Sequence, residues 1–287
     1  MRKLPLIVLV FLFISSNLAH SQAPSPPTAE AIMARVAANQ DRSEQLRTQY
    51  VYRQHIHVAS RKTNGKLMRE ETADYDVLPD ASGSKKELKK LDGRYLDKGK
   101  YVSYATEAAS KGDGLDAGLV NSFREDLTNE KSKDGVGRDL FPLTSSEQAK
   151  YSFQLLGEQT LNGRSVYHLS FRPRRIGPAK HEWDDAEWAG EAFIDKEDFE
   201  PVNVYTKLAE RIPLFVRTVF GTDLPGLGFS VTYKRQPDGV WFPSSFGTEF
   251  RIHAVFFINR VITVSLQNSD FERTHVDSKI TGVAAIQ

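Results

Sequence analysis

Three hairpin signals constrain the fold of this chain more than any other feature of its sequence. Segments that alternate apolar and polar residues flank Asn-Gly at positions 64–65 and 162–163 and Asp-Gly at positions 238–239. Strict alternation puts every second side chain on the same face of a strand, and Asn-Gly and Asp-Gly accept the positive φ angles of tight turns. The pattern therefore predicts antiparallel strand pairs at three places along the chain.

Further strands and an opening helix follow from the same kind of reasoning. The sequence predicts a fourth strand pair at Trp188–Ile194 and Val202–Leu208. It also predicts a final strand, rich in β-branched residues, at Val255–Leu266. Ala29–Leu46 predicts a helix that Thr28 can cap, because apolar residues recur in it at helical spacing. The 17 Phe, 10 Tyr and 3 Trp suit the core of a β-rich protein.

One stretch, Lys98–Ala149, departs from the strand pattern. It contains a helical segment from about Asp116 to Glu130, in which apolar residues lie four positions apart. Helices inserted between runs of strands are typical of an α+β domain whose helices cover one face or the mouth of a curved, mainly antiparallel sheet. We expect one domain over residues 29–275, with the helical insertion at about 98–149 and a C-terminal tail at 276–287.

The first 21 residues have the three parts of a secretory signal peptide. Two basic residues precede a short apolar run, Leu6–Ile14, and small residues favour cleavage before Gln22. The run is about half as long as a membrane-spanning helix, so we expect no transmembrane segment in the mature chain, which begins with a Pro-rich leader at 22–28. The chain contains no cysteine, which excludes disulfides and a lipid-modified N-terminus. These features predict a periplasmic or secreted protein.

Few residue patterns in the sequence indicate catalysis. The 38 basic and 37 acidic residues nearly balance, so no overall field attracts nucleic acid. The sequence contains no phosphate-binding loop, dinucleotide fingerprint or Gly-x-Ser-x-Gly motif. The cluster His181–Glu187 could bind a divalent ion, but a charged loop is the favoured interpretation. We therefore predict a non-catalytic protein with no cofactor, no metal and no nucleic-acid partner, and keep a metal-dependent hydrolase that uses this cluster as an alternative.

Arg260 interrupts an apolar pattern and allows two interpretations. If Phe256–Leu266 is one unbroken strand, Arg260 lies on its apolar face and its guanidinium needs an acceptor or a cavity water. If the chain turns at Asn259–Arg260, the side chain lies in solvent. The turn is the favoured interpretation, because Asn is a common turn residue.

Three passages carry a family resemblance. The first is the opening helix that leads directly into the strand Leu46–His57, and the second is Trp188–Asp195 followed by Glu200–Val202. The third is Gly228–Tyr233 with the hairpin Asp238–Pro243, in the pattern Asp-Gly-x-Trp-Phe-Pro. In these passages the chain resembles diverged, exported bacterial members of the LolA/LolB-like periplasmic lipoprotein-carrier superfamily.

The resemblance implies a strongly curved open sheet or half-barrel, with an N-terminal helix and with the inserted helices as a lid. It also implies a carrier or sensor that binds lipid or lipoprotein acyl chains in an apolar cavity and serves outer-membrane biogenesis. The alternative is a cell-envelope interaction module with a filled core and a protein partner. The candidate cavity residues are Tyr50, Tyr52, Ile56, Tyr151, Phe153, Leu155, Phe229, Val231, Tyr233, Phe250, Ile252 and Arg260.

Overall fold

The computed structural model describes residues 26–80, 83–128, 141–174, 187–210, 228–254 and 258–274. The signal peptide, most of the Pro-rich leader and the C-terminal tail lie outside these ranges. The cluster His181–Glu187 also lies outside them, apart from the backbone of its last residue. The predictions about these segments therefore stay predictions.

Eleven antiparallel strands form one open, curved sheet, which confirms the predicted α+β class. Their order across the sheet is β4-β3-β2-β1-β11-β10-β9-β8-β7-β6-β5, so β4 and β5 are the edges and the first and last strands are neighbours. The strands are β1 (Tyr50–Arg61), β2 (Leu67–Asp80), β3 (Gly83–Asp97), β4 (Lys100–Tyr104), β5 (Tyr151–Leu161), β6 (Arg164–Pro173), β7 (Glu187–Asp195), β8 (Pro201–Glu210), β9 (Gly228–Arg235), β10 (Trp241–Ala254) and β11 (Ile258–Arg273).

A single row of apolar side chains crosses ten of the eleven strands. Each member is the register partner of the next, so all of them lie on one face, which we call the inner face. The row runs from β3 to β5 through Leu91, Ala73, Ile56, Leu266, Phe246, Val231, Val204, Ala192, Leu169 and Leu155. All except Leu155 are buried, which makes this row the centre of the core.

The three predicted hairpins are confirmed, with two kinds of turn. Asn162 and Gly163 have φ angles of +52° and +79°, so both central residues are positive as a type I′ turn requires. In the other two turns only the glycine, Gly65 or Gly239, has a positive φ. Each of these loops has three residues between its closing backbone hydrogen bonds, in the arrangement of a type I turn followed by a left-handed glycine.

The described ranges contain four helices: α1 (Ala29–Arg47), α2 (Glu107–Ser110), α3 (Leu115–Thr128) and α4 (Ser145–Gln148). The predicted cap is confirmed, because the Thr28 hydroxyl accepts a hydrogen bond from the Ala31 N–H at 3.2 Å. The long helix α1 packs against β5 and α4, whereas α3 lies across β1 and β2. None of the described helices combines the length and hydropathy needed to cross a membrane.

Two strands were not predicted. β3 and β4 occupy positions 83–97 and 100–104, so the insertion that was expected to start at about residue 98 begins with a strand. β3 alternates few apolar residues and contains four lysines. Lys85, Lys89 and Lys90 pair with carboxylates, whereas the Lys86 ammonium donates to the Leu127 carbonyl of α3 at 3.0 Å. Gly93 leaves room for the ring of Tyr104, since a Cβ there would lie 2.1 Å from the Tyr104 Cζ. The packing of this glycine is a tertiary effect that the local pattern does not reveal.

The predicted turn at Asn259–Arg260 is wrong. Both residues belong to β11, where Arg260 is the register partner of Ile252 and Asn259 that of His253. The connection between β10 and β11 falls earlier, at residues 255–257, which lie outside the described ranges. Asn259 was a misleading signal because pairing with β10 overrides the turn preference of one residue.

Candidate functional site

The inner face has two ends that differ in their connections. At the first, the Trp241 end, lie the turns at 162–163, 196–200 and 237–239 and the start of β1. At the second, the Arg260 end, lie the turns at 62–66 and 98–99, together with the opposite ends of β6 to β11. The antiparallel register fixes this arrangement, because each strand reverses the direction of the one before it.

Aromatic rings line the inner face toward the Arg260 end. The ring centroids of Trp188 and Phe229 are 4.9 Å apart in an edge contact, and Phe229 stacks on Phe246 at 5.3 Å. Phe250, on the same strand as Phe246, meets Phe123 of α3 edge-on at 5.3 Å. Phe229 and Phe123 are only half-buried although they pack against fully buried neighbours. Helix α3 and the sheet thus present apolar rings to a shared space.

The twelve candidate residues divide into two apolar groups and one cation. The main core contains or directly contacts Ile56, Tyr151, Phe153, Leu155, Phe229, Val231, Tyr233, Phe250 and Ile252. Tyr50 and Tyr52 instead belong to a separate aromatic cluster with Phe242 and Phe271, in which the Tyr50 and Phe242 centroids are 4.8 Å apart. The structure therefore does not place all the candidates along one continuous lining.

A buried amide pair lies between the two groups. The Gln54 Nε2 donates to the Asn268 Oδ1 at 3.2 Å, and the Asn268 Nδ2 donates to the Pro243 carbonyl at 2.9 Å. Both side chains are less than 10% exposed, so they interrupt the apolar inner face with a hydrogen-bonded barrier. Tyr50 and Tyr52 lie on the far side of this barrier, where the hydroxyl of Tyr50 donates to Asp238.

Arg260 is the one charged residue among the twelve candidates, and its guanidinium donates hydrogen bonds to a carboxylate of α3. The Arg260 Nε and Nη2 donate to the two carboxylate oxygens of Asp116 at 2.6 and 3.0 Å. The Ser60 hydroxyl donates to the same carboxylate at 2.6 Å. The two charged side chains are 14% and 20% exposed, so this two-point pair is largely shielded from water. It fixes the start of α3 to the Arg260 end of the sheet.

A second ion pair under α3 is almost fully buried, and sequence reasoning missed it. The Arg124 Nε lies 2.6 Å from the Glu71 Oε1, with side-chain exposures of 6% and 1%. The Tyr104 hydroxyl donates to the other Glu71 oxygen at 2.8 Å, and Arg124 also donates to the Tyr75 hydroxyl at 3.1 Å. Burial, with the neighbouring Glu71 carboxylate, raises the pKa of Tyr104, which keeps its proton available for donation.

At the Trp241 end, α1 lies beside two of the passages in which the sequence resembles a known family, namely the turn after β7 and the hairpin before β10. Gln40 and Ser43 both donate to the carboxylate of Glu200, the hydroxyl at 3.0 Å. Next to it, the Trp241 indole N–H donates to the Asp198 carboxylate at 3.1 Å. The acidic turn after β7 and the hairpin before β10 therefore meet each other beneath α1. These contacts close the Trp241 end with hydrogen-bonded polar groups.

The buried carboxyl of Glu200 is expected to make the stability of the fold depend on pH. Burial raises the pKa of Glu200 above its usual 4.5, despite the donors Ser43 and Gln40. A carboxyl whose pKa is higher in the folded state stabilises the fold below its unfolded pKa, and this stability is lost as the pH rises through the folded-state pKa. We expect Glu200→Gln to gain stability relative to the native chain between pH 4.5 and 7.5, measured by urea unfolding. A constant difference between the two proteins over this range would contradict the raised pKa.

The described ranges contain no cluster of three or more His, Asp or Glu side chains arranged to hold a metal ion. Glu71, Arg124, Asp116 and Glu200 are among the polar residues of the interior that the sequence analysis did not select. A usable signal existed for Glu71, which is in phase with Ala73, Tyr75 and Val77 along β2. The interior therefore combines an aromatic region with a polar region covered by α3.

Similar solved structures were found by comparison of folds. They include a LolA superfamily protein from Nitrosomonas europaea (12% identity, 90% of this chain and 99% of that one, TM-score 0.32). They also include a DUF1329 family protein from Desulfovibrio piger (12%, 90% and 96%, 0.35) and the lipoprotein LppX of Mycobacterium tuberculosis (13%, 86% and 99%, 0.28). No protein-family model and no curated protein matched the chain. At these TM-scores the similarities carry no argument about function, which rests on the chain's own residues.

Proposed function

We propose that this protein is a non-catalytic carrier or sensor that binds acyl chains of a lipid or lipoprotein against the inner face of its sheet, outside the cytoplasm. The observation that carries the proposal is the set of half-buried apolar side chains Phe153, Leu155 and Phe229 on that face, together with Phe123 of α3, which contacts Phe250 of the same face. Contiguous apolar surface that the protein itself leaves partly uncovered is characteristic of ligand-binding grooves.

Hydrophobic transfer supplies enough free energy for such binding. Each buried methylene contributes about 0.8 kcal/mol, so about ten methylenes of one chain contribute roughly 8 kcal/mol before the costs of association. Aromatic rings such as those of Phe229 and Phe246 have flat apolar surfaces, and their contacts with an acyl chain do not select a particular chain length or head group. The proposed cargo class is therefore defined by its acyl chain rather than by a particular polar group.

The polar contacts of the inner face support a location for the chain. Glu71 with Arg124 and Gln54 with Asn268 occupy the region of β1, β2 and β11 with paired charged and amide side chains. An alkyl chain placed there would separate these groups from their partners, at a cost of several kcal/mol. Among the described residues, the aromatic region around Trp188, Phe229 and Phe246 contains no buried ion pair or amide pair of this kind, so we assign the acyl chain to it.

Native mass spectrometry tests the proposal directly. The mature protein would be purified gently from its own envelope and measured intact, and lipid would be extracted from the same sample. We expect a stoichiometric acyl-bearing ligand that leaves on delipidation and returns when fatty acid or phospholipid is added. A ligand-free mass with no uptake of added lipid would contradict the proposal. In that case, a copurifying protein would favour the alternative of an envelope interaction module with a filled core.

A further inference from the structure

Exposed cations surround the Arg260 end of the sheet. They come from the turns after β1 and β3, from the end of β6 and from the outer parts of β8 and β10. The set, which we call the cationic rim, consists of Lys62, Lys66, Lys98, Lys100, Arg172, Arg174, Lys207 and Arg251. All eight side chains are exposed, and none has an ion-pair partner among the described residues.

Acidic groups do not balance the cationic rim within the described ranges at this end. Asp97, Asp113 and Glu249 are exposed there. Glu70 is paired with Arg94 at 2.6 Å, and Asp116 is held by Arg260. Among the described side chains at this end, exposed cations therefore outnumber exposed carboxylates, although the whole chain is nearly neutral.

The Trp241 end has the opposite character. Arg164 pairs with Asp195 at 2.5 Å, Arg235 with Asp198 at 3.0 Å, and Lys196 with Glu158 at 2.5 Å. Since both ends belong to the same sheet, the contrast shows that unpaired cations are not a general property of its surface. They are concentrated where the aromatic region of the inner face reaches the strand ends.

We propose that the cationic rim docks the protein on an anionic lipid surface with the Arg260 end toward the bilayer. Lysine and arginine side chains near such a surface each contribute about 1 kcal/mol, and eight of them spread over several strands suit a broad charged plane. The choice of a bilayer among polyanions rests on the proposed function, because an acyl cargo must leave and enter a membrane. Docking in this orientation brings the ring of Trp188 and its neighbours close to the source of the cargo.

A vesicle-binding assay with a matched control tests the docking. The rim variant Lys66→Glu, Lys100→Glu and Arg251→Glu is compared with the control variant Arg53→Glu, Lys90→Glu and Lys234→Glu, which reverses three exposed cations away from the rim. Vesicles of phosphatidylglycerol with phosphatidylcholine are sedimented with the native chain and each variant. We expect the rim variant to lose about a hundredfold in partitioning and the control less than threefold. Raising the salt concentration should weaken native binding in the same way.

Other outcomes separate docking from cargo binding. Equal binding of the native chain to pure phosphatidylcholine vesicles, or equal loss in both variants, would overturn the docking surface. Binding to heparin or DNA without binding to the anionic vesicles would overturn the choice of partner. A fluorescent fatty acid, titrated without vesicles, reports the cargo site separately, and we expect the rim variant to bind it as the native chain does. A native chain that docks on vesicles but does not bind the fatty acid would support the rim and refute the carrier.

Discussion

Replacing Arg124 by alanine is expected to lower the free energy of unfolding by about 3–5 kcal/mol. The substitution leaves the Glu71 carboxyl, which is 1% exposed, in the protein interior without its cation. For a domain of this size the loss corresponds to a fall of roughly 10 °C in Tm. Urea unfolding followed by far-UV circular dichroism measures the first quantity and a thermal scan the second.

A double replacement provides the control for this prediction. Glu71→Leu combined with Arg124→Met removes both charges and keeps apolar volume in their place, so we expect the stability to return to within about 1–2 kcal/mol of the native value. The two results together would show that the isolated charge, and not the lost packing of α3, causes the damage. If Arg124→Ala lowers the free energy of unfolding by less than about 1 kcal/mol, the Glu71 carboxylate accepts hydrogen bonds from water or another donor in place of Arg124.

Phe229→Asp is expected to lower the affinity for an acyl ligand by about thirtyfold or more. Phe229 is half-buried and contacts both Trp188 and Phe246, so an aspartate there would place a carboxylate against the bound methylenes and remove a large apolar contact. The measurement is a titration with a fluorescent fatty acid, with Phe229→Leu expected to stay within about threefold of the native chain.

The opposite face of the sheet offers a matched control for Phe229→Asp. Tyr205 lies on the neighbouring strand β8, beside Ser230 in the register, with its side chain 48% exposed on the outer side. We expect Tyr205→Asp to bind the fatty acid as the native chain does. If both aspartate variants bind normally and remain folded, the acyl chain does not lie in the aromatic region.

The strand layout was predictable wherever turn chemistry and alternation agree. Asn162-Gly163 has the backbone angles that its residue types favour, and alternation on both sides set the pairing of β5 with β6. β3 was missed because charged residues occupy most of its outward positions, and one of them, Lys89, also pairs with Asp76 of β2. Local sequence propensity does not include contacts with other strands. A lysine-rich strand near the edge of a sheet therefore has the sequence pattern of a loop.

The interior was harder to predict than the strands because its polar contacts join distant residues. Arg260 requires Asp116, which is 144 positions away and belongs to a helix whose docking site the sequence does not specify. Glu71 requires Arg124 of the same helix, and a single glutamate in an alternating segment is ordinarily solvent-exposed. Eleven of the twelve candidate residues belong to or pack against the two apolar clusters, whereas the charged contacts of Arg260 and Glu71 depend on how α3 lies over β1 and β2.

The pairing of β1 with β11 has a consequence for the order in which the chain can fold. β1 to β4 make one run of neighbouring strands and β5 to β10 make another, and β11 alone connects the two runs within the sheet. Until residues 258–273 have been synthesised, the partial chain consists of two separate sheets, each with an open edge that can pair with other chains. β11 is the strand that converts these two sheets into a single hydrogen-bonded unit, so both open edges are available for wrong pairing until residues 258–273 have been made.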